Sequence, residues 1–559
     1  MASKRYSSAV LIVLPLVLAV SALPAAAQIQ VNSTNPNAAP QGTVNLNVTI
    51  SGSGFKRGAK AQWFVTGTTN PGGVTVNSTA FNGSTQLTAN ITVASDAVIS
   101  GFDIVVTNTD GRTGKGTDRF AVTAKGTPIG CSTTGTPSGF SLVTVLNPVQ
   151  PNGAALITTG KLGNAIRVRP LDLNKDGVVD SLVAFVSSGS SSGSNPGAYV
   201  FFLDPVTGRV QATNPITGAA WQNPLQVLSG VSAIKAAAGD VNGDGIPDFA
   251  MAGGPYLLVG SVSGATSANP YMPSYTAYQI SPPPGAASWS PQSVAFGDVD
   301  GLGVDELVVG AGGSSKTGLP PGAYIFKYNA GVLSYLREIQ DPTGALGTGF
   351  GNAVAVGNID GTGNNLVVGA QTATANGLVY VFPHPVQQSN YSTLTGSGPN
   401  FGRNLGIADV NLDGISDLVV ITGKLGSGGQ ALLYAGYVSS GSNYTNQLLP
   451  GQANGWGDPN IDVGDIAAKG AVAIGAPNAS SCSPTQGGQG ALNLFTSPFA
   501  SSETPNYVFE TPSLSGSNQF QFGYSVGIVP GYPFIVIGEH FRDVGTTSLA
   551  GQVYVYRLN

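Results

Sequence analysis

The chain has 559 residues, a formal net charge of −5, 42% hydrophobic residues and only 9% charged residues, against roughly a quarter charged in an ordinary soluble domain. That length exceeds one hydrophobic core, and the apolar fraction, rich in Val, Ile, Leu, Tyr and Phe, argues against disorder. After the N-terminus no basic cluster exceeds the Lys56-Arg57 pair, which argues against a nucleic-acid interface. The β-branched and aromatic residues favour strands, and the 79 glycines then serve as turns between many short ones. Composition alone predicts an all-β protein.

In chain order, Lys4 and Arg5 precede an apolar run from Ala9 to Ala22, followed by Ala25-Ala26-Ala27. A basic start, a short apolar stretch and small residues at its end predict a secretory leader over 1–27; the run is shorter than the roughly 20 apolar residues that span a bilayer. Residues 28–126 carry short stretches of period two (Val44 to Ile50, Leu87 to Val93, Phe102 to Val106) with turns about every ten residues, which predicts a β-sandwich. The turn Ser51-Gly52-Ser53-Gly54-Phe55, the stretch Gly101-Phe102-Asp103-Ile104-Val105-Val106-Thr107-Asn108 and the closing Phe120-Ala121-Val122 resemble the immunoglobulin-like IPT/TIG domain. A Gly/Thr/Ser/Pro-rich linker follows over 127–141. The two cysteines, Cys131 and Cys482, permit one disulfide or two buried free thiols in an exported chain. The bridge is geometrically reasonable if the strand after the linker closes beside the last repeat.

Residues 142–559 are repetitive, and repeats decide architecture before single motifs do. The unit is an acidic turn, a short and very apolar stretch, a Gly-rich turn and a Gly-led aromatic stretch. Its apolar stretches start at Ser181, Phe249, Leu307, Leu366, Leu418, Ala471 and Ile535. Aromatic partners include Gly197 to Phe201, Gly322 to Phe326, Gly377 to Phe382 and Gly551 to Tyr556, with Tyr256 to Val259 an abbreviated copy. Equivalent turn positions fall at Asp172, Asp240, Asp298, Asn358, Asp409, Asp465 and Ile528, 51 to 68 residues apart. That spacing suits a four-stranded antiparallel blade, and blades bury their faces only by packing radially. Seven copies predict a seven-bladed β-propeller.

Three turns carry a full set of oxygen ligands at positions 1, 3, 5 and 9: Asp172, Asn174, Asp176 and Asp180; Asp240, Asn242, Asp244 and Asp248; and Asp409, Asn411, Asp413 and Asp417. Glycine at position 6 allows the positive φ that folds such a loop over an ion. The backbone carbonyl at position 7 (Val178, Ile246 or Ile415) completes the shell. Six to eight oxygens in a flexible arrangement suit Ca²⁺ better than the strict octahedron of Mg²⁺. Position 12 holds Val or another apolar residue in place of the EF-hand Glu, and no helical pattern flanks the loops. Three structural calcium sites are therefore expected. The third turn, with Asp298, Asp300 and Glu306, has Leu302 at position 5 and is a weaker candidate. The turn beginning at Asn358 lacks the first acid, and those at Asp465 and Ile528 have no ligand set.

Phe350-Gly351-Asn352-Ala353, Phe401-Gly402-Arg403-Asn404 and Phe522-Gly523-Tyr524-Ser525, each followed by a strand, the turn and a Val-Val-Gly-Ala-like stretch, resemble FG-GAP repeats, which build the propeller of integrin α subunits and of many bacterial surface proteins. The resemblance spans about 140–559. It implies calcium in the matching loops and a role in adhesion or ligand binding. Trp456-Gly457 replaces Phe-Gly in the sixth repeat, and the first two repeats lack the Phe. No other integrin α region follows, so an integrin β partner is not implied.

No catalytic constellation is expected. His384 and His540 are the only histidines, neither is near a nucleophile elbow or a metal-ligand spacing, and both are expected on the surface or in loops. The acids that cluster are assigned to the calcium loops, although paired carboxylates for glycoside chemistry are a matter of three dimensions. The expectation is an exported, calcium-binding adhesion or ligand-binding protein with a protein or glycan partner. A secreted polysaccharide lyase or hydrolase and a lectin are the alternatives.

Overall fold

The computed structural model describes residues 29–559 apart from 41–42, 44, 95–96, 99, 124–135, 147–160, 190–196, 221–222, 230–231, 254–255, 262–273, 286–288, 312–319, 330, 397–398, 424–429, 437–444, 449–460, 480–489, 501, 513–520 and 542–549. The expected leader over 1–27, Cys131, Cys482 and Trp456-Gly457 lie outside the described residues. Every regular element among those described is a β-strand. No described helix is long and apolar enough to cross a membrane. The chain forms two compact units, one of residues 1–35 with 42–122 and one of 36–41 with 123–559.

In the first unit, Gln30–Asn35, Leu46–Ser53, Gln86–Val93 and Val74–Gly83 form one antiparallel sheet in that spatial order. Lys60–Val65, Ser100–Thr107 and Thr113–Thr123 pair antiparallel in a second. The period-two pattern has a direct outcome. Leu87, Ala89, Ile91 and Val93 are buried while Gln86, Thr88, Asn90 and Thr92 between them are more exposed, because successive side chains leave a strand on opposite faces. Trp63 meets the edge of Phe120 at 5.9 Å in the core. On the solvent face Asn77 Nδ2 donates to Asn90 Oδ1 and Asn90 Nδ2 to Asn47 Oδ1, both at 2.8 Å. The two turns are clasped together: Asn108 Nδ2 donates to the Gly54 carbonyl, its Oδ1 accepts from Lys56 N, and Lys56 pairs with Asp110 at 2.7 Å.

The second unit holds seven sheets among the described residues, six of them assembled from four antiparallel strands in chain order, with one further short edge strand paired parallel on the fifth. Their second strands, Ser181–Ser188, Asp248–Ala252, Glu306–Ala311, Asn365–Ala370, Asp417–Thr422, Lys469–Ala476 and Phe534–Glu539, are the predicted apolar stretches, and all of their residues except Lys469 are buried. A strand covered on both faces has no polar side, so its apolar run is continuous rather than alternating.

The first strands are Leu162–Leu171, Lys235–Gly239, Ser293–Gly297, Phe350–Gly357, Asn404–Ala408, Ile461–Ile466 and Phe522–Ile528. Each lies against the first strand of the next sheet, and the seventh lies against the first. All seven line one narrow central space, to which Arg167 and Lys235 contribute charge. The seventh sheet is completed from the other end of the unit, since Phe140–Leu146 pairs antiparallel with Gln552–Leu558. Ser141 Oγ donates to Asn559 Oδ1 at 2.7 Å across a separation of 418 residues.

The Phe-Gly pairs explain how neighbouring sheets join. Phe350, Phe401 and Phe522 are fully buried, and the glycines after them have φ of 87°, 85° and 76°. A Cβ at these glycines would lie 2.4 Å from the Gly322 carbonyl oxygen, 2.8 Å from that of Leu378 and 2.2 Å from that of Ala491. Each carbonyl belongs to the third strand of the preceding sheet, so glycine is required for both conformation and space. Phe401 and Phe522 also form parallel bridges to Gly377 and Gly490. The first sheet makes the same junction with Leu162-Gly163-Asn164-Ala165: Leu162 bridges Gly551, Gly163 has φ 87°, and the bulge after Leu162 matches the one after Phe350. The missing aromatic hid it in the sequence, while Gly-Asn-Ala, shared with residues 351–353, was the available signal.

Candidate metal centres

The acidic turns all connect a first strand to a second strand. In the first loop Asp172 accepts from Asp176 N at 3.3 Å and Gly177 N at 2.7 Å, Asn174 Oδ1 accepts from Asp176 N at 3.0 Å, Asp176 Oδ1 from Val178 N at 2.8 Å, and Asp180 Oδ2 from Leu173 N at 2.8 Å. The second loop repeats the pattern with Asp240, Asn242, Asp244, Ile246 and Asp248. The fifth repeats it with Asp409, Asn411, Asp413, Ile415 and Asp417. All three predicted ligand sets thus share one turn with the same side-chain to backbone hydrogen bonds, although among the described residues the acids whose oxygens all lie within 4.8 Å of one another are those of the third loop. The sixth-position glycines, Gly177, Gly245 and Gly414, have φ of 89°, 80° and 92°. Position 4 is left-handed as well, at Lys175, Gly243 and Leu412, a requirement not evident from two non-glycine residues.

Bringing the acids together is costly without a cation. Burial, then the charges of Asp172 and Asp176, pushes Asp180 above the usual carboxylate range; burial and Asp240 do the same to Asp244. Asp417 is the strongest case. Only 1% exposed, it accepts from Val410 N and Asn411 N through Oδ2, while its Oδ1 is buried with no hydrogen-bond partner. Burial, reinforced by Asp413 and Asp409, raises its pKa to about 6. A buried carboxylate oxygen without a hydrogen-bond partner, in the field of two further acids, is a donor a hard cation takes, so the residues present fit Ca²⁺.

One consequence concerns pH. A carboxyl whose folded pKa exceeds its unfolded value binds its proton more tightly when folded, so its stabilisation is full below about 3.8 and is lost as pH rises through about 6. Calcium-free protein should therefore lose up to about 3 kcal/mol of stability over this interval from Asp417 alone. Asp417→Asn should flatten that part of the profile in denaturant titrations in EGTA; an unchanged slope would remove the assignment.

The third loop has the same fold, with Gly303 N donating to Asp298 Oδ2 at 2.8 Å and Val299 N to Glu306 Oε2 at 3.0 Å. Asp298, Asp300 and Glu306 have oxygens within 4.8 Å of one another. A residue absent from the expected set joins them: Lys327 Nζ donates to Asp300 Oδ2 at 2.6 Å and to Glu306 Oε1 at 2.9 Å. Burial works against its charge, but the two carboxylates prevail and hold the ammonium above its usual range. The fourth loop balances its one acid with neutral donors, Thr362 Oγ1 at 2.6 Å and Asn365 Nδ2 at 2.8 Å to Asp360. In the sixth turn Asp465 accepts from Gly531 N of the seventh.

The loops are tied to one another as well. Lys175 Nζ donates to the Asp244 carbonyl, Asp240 N to Asp305 Oδ2 at 3.1 Å, and Ser416 N to the Asn358 carbonyl at 3.0 Å. His384 packs against Gly301 and Gly363, where it would meet any added Cβ within about 3 Å, so it wedges between the third and fourth loops. Of the two expected placements, surface or loop, His540 takes the loop, in the turn after residue 539, but it is not at the surface. It is 4% exposed, its ring is 3.6 Å from that of Tyr524, and burial, helped by Lys161, lowers its pKa to about 3. It lies in the turn that follows the fully buried strand Phe534–Glu539, beside the Tyr524 and Phe541 rings.

No protein-family profile matches the chain, and no curated protein matches it. Among solved structures, the chain is similar to the BP39L lectin from Burkholderia pseudomallei at 10% identity and a TM-score of 0.43, over 71% of this chain and 96% of that one. It is also similar to the V. cholerae biofilm matrix protein Bap1 at 11% identity and a TM-score of 0.21, over 75% of this chain and 91% of that one.

Proposed function

We propose that residues 142–559 form a seven-bladed β-propeller of the FG-GAP kind, preceded by an immunoglobulin-like β-sandwich of the IPT/TIG kind over 28–126, in an exported protein that binds a protein or glycan ligand. The cyclic contact of seven first strands around one central space, and the completion of the last sheet by Phe140–Leu146, support the propeller. Closure removes exposed sheet edges and leaves loops on a rigid ring, where binding residues commonly sit.

Within this reading the first, second and fifth loops hold structural Ca²⁺ through the side chains at positions 1, 3, 5 and 9 and the carbonyls of Val178, Ile246 and Ile415. The observation that carries it is the buried, unpartnered Asp417 Oδ1 beside Asp409 and Asp413. When bound, the ion neutralises the converging acids; the chain itself supplies the turn, held by backbone N–H groups. Val178, Leu302 and Leu412 are 63%, 72% and 47% exposed, so the rim these loops form offers apolar contacts between acidic turns, a surface suited to a ligand.

Isothermal titration of the full chain should register three calcium ions, and Asp417→Asn should remove one. A chain that takes up no calcium refutes the metal assignment. For the ligand, a glycan array and immobilised extracellular matrix proteins should each be probed with the calcium-loaded chain. Retention that disappears in Leu302→Asp or Leu412→Asp supports binding through this rim. Release of reducing or unsaturated ends from a polysaccharide would replace the binding reading with a lyase or hydrolase.

A further inference from the structure

We infer that the third loop carries its own cation: the Lys327 ammonium stands where the first, second and fifth loops take calcium, so this blade is held together without metal. The inference rests on the calcium reading of those three loops. Loop three has the same backbone turn and the same hydrogen bonds to its first and ninth positions, yet it has lost the fifth-position acid to Leu302. It has gained an acid at the third position, Asp300 where its neighbours have Asn, and with it a charge of opposite sign. Lys327 Nζ makes short bonds to Asp300 Oδ2 and Glu306 Oε1, the third- and ninth-position acids, and Glu306 is wholly buried.

Strand register shows why a lysine reaches this place in the third loop and not in the second or the fifth. Leu307 pairs with Phe326, so the next rung sets Glu306 opposite Lys327. In the second sheet Phe249 pairs with Leu258, which sets Asp248 opposite Val259. In the fifth, Leu418 pairs with Tyr434, which sets Asp417 opposite Ala435. Neither of those rungs can supply a positive charge, and those loops retain the full acid set. Loop three keeps three acids, at positions 1, 3 and 9, as many as its neighbours hold at positions 1, 5 and 9, and the tethered ammonium bonds two of them and offsets one of their charges in place. A compact ammonium with three donors can bridge two carboxylates as a metal would.

The test is calcium content by equilibrium dialysis of the full chain, comparing wild type with Lys327→Met and Lys327→Arg. Lys327→Met should take up one calcium more than wild type, because the vacated acids then lack a counter-ion. Lys327→Arg, which keeps a cation, should match wild type. In EGTA, Lys327→Met should melt below both others and recover when calcium is added. A folded Lys327→Met that binds no more calcium than Lys327→Arg overturns the inference, as does a wild type whose extra ion disappears in Glu306→Gln. A wild type that binds no calcium refutes the metal reading of the other loops, while the difference between the Met and Arg variants still decides the role of Lys327. If Lys327→Met does not fold alone, Lys327→Met combined with Glu306→Gln, which removes both buried charges, should fold in EGTA and take up no additional ion; failure of this pair to fold would also count against a purely electrostatic role.

Discussion

Chelation with EGTA is expected to lower the melting temperature of the protein markedly, and added calcium to restore it. Three loops each gather three carboxylates within nine residues, at Asp172, Asp176 and Asp180, at Asp240, Asp244 and Asp248, and at Asp409, Asp413 and Asp417. The raised carboxyls of Asp180, Asp244 and Asp417 register desolvation first and then the repulsion of neighbouring acids. An ion that binds only the folded loops stabilises by about 4 kcal/mol per site when its concentration is a thousandfold above Kd, so three sites acting together make a large effect. The loops are tied to neighbours through Lys175, Asp305 and Ser416, so loosening one should be felt in the next. Calorimetric scans in calcium and in EGTA would measure the difference. Superimposable scans would mean that backbone N–H groups alone hold these turns.

Phe350→Ala is expected to destabilise the second unit by about 3–5 kcal/mol. The ring is fully buried, meets Tyr380 edge-on at 5.3 Å and belongs to the core shared by the third and fourth sheets. It sits beside Gly351, whose φ of 87° and close approach to the Gly322 carbonyl prevent the backbone from collapsing into the space left behind. The cavity should therefore persist, which places the cost at the upper end of core truncations. Denaturant unfolding should show the midpoint falling with an unchanged slope. A loss below about 1 kcal/mol would contradict the junction role of the Phe-Gly pair. Gly351→Ala should also be costly, through positive φ and backbone overlap rather than through a cavity.

The seven apolar strands and three complete acidic loops were legible because their signals are local. Ser181 to Val186 and Leu307 to Ala311 are continuous apolar runs because each lies covered on both faces. Likewise, Asp240 to Asp248 announces a turn because its ligand spacing and Gly245 lie within one short segment. Leu162 was not recognised as the counterpart of Phe350, since a burial requirement can be met by more than one apolar side chain. His540 was expected on the surface or in a loop, and its burial in the turn after residue 539 was not legible because a lone histidine gives no sign of the rings that pack around it.

The amino-acid order by itself determined the all-β class, the strand positions and the turn chemistry, since each depends on side chains a few residues apart. Only the tertiary structure decided that Lys327 meets Glu306, 21 positions before it. It alone decided that Phe140–Leu146 completes the sheet begun at Phe522 and that His384 wedges between two loops. These outcomes depend on register and on the meeting of distant segments, which local propensity does not encode. A one-residue slip in the pairing of Leu307 with Phe326 would turn the ammonium to the other face.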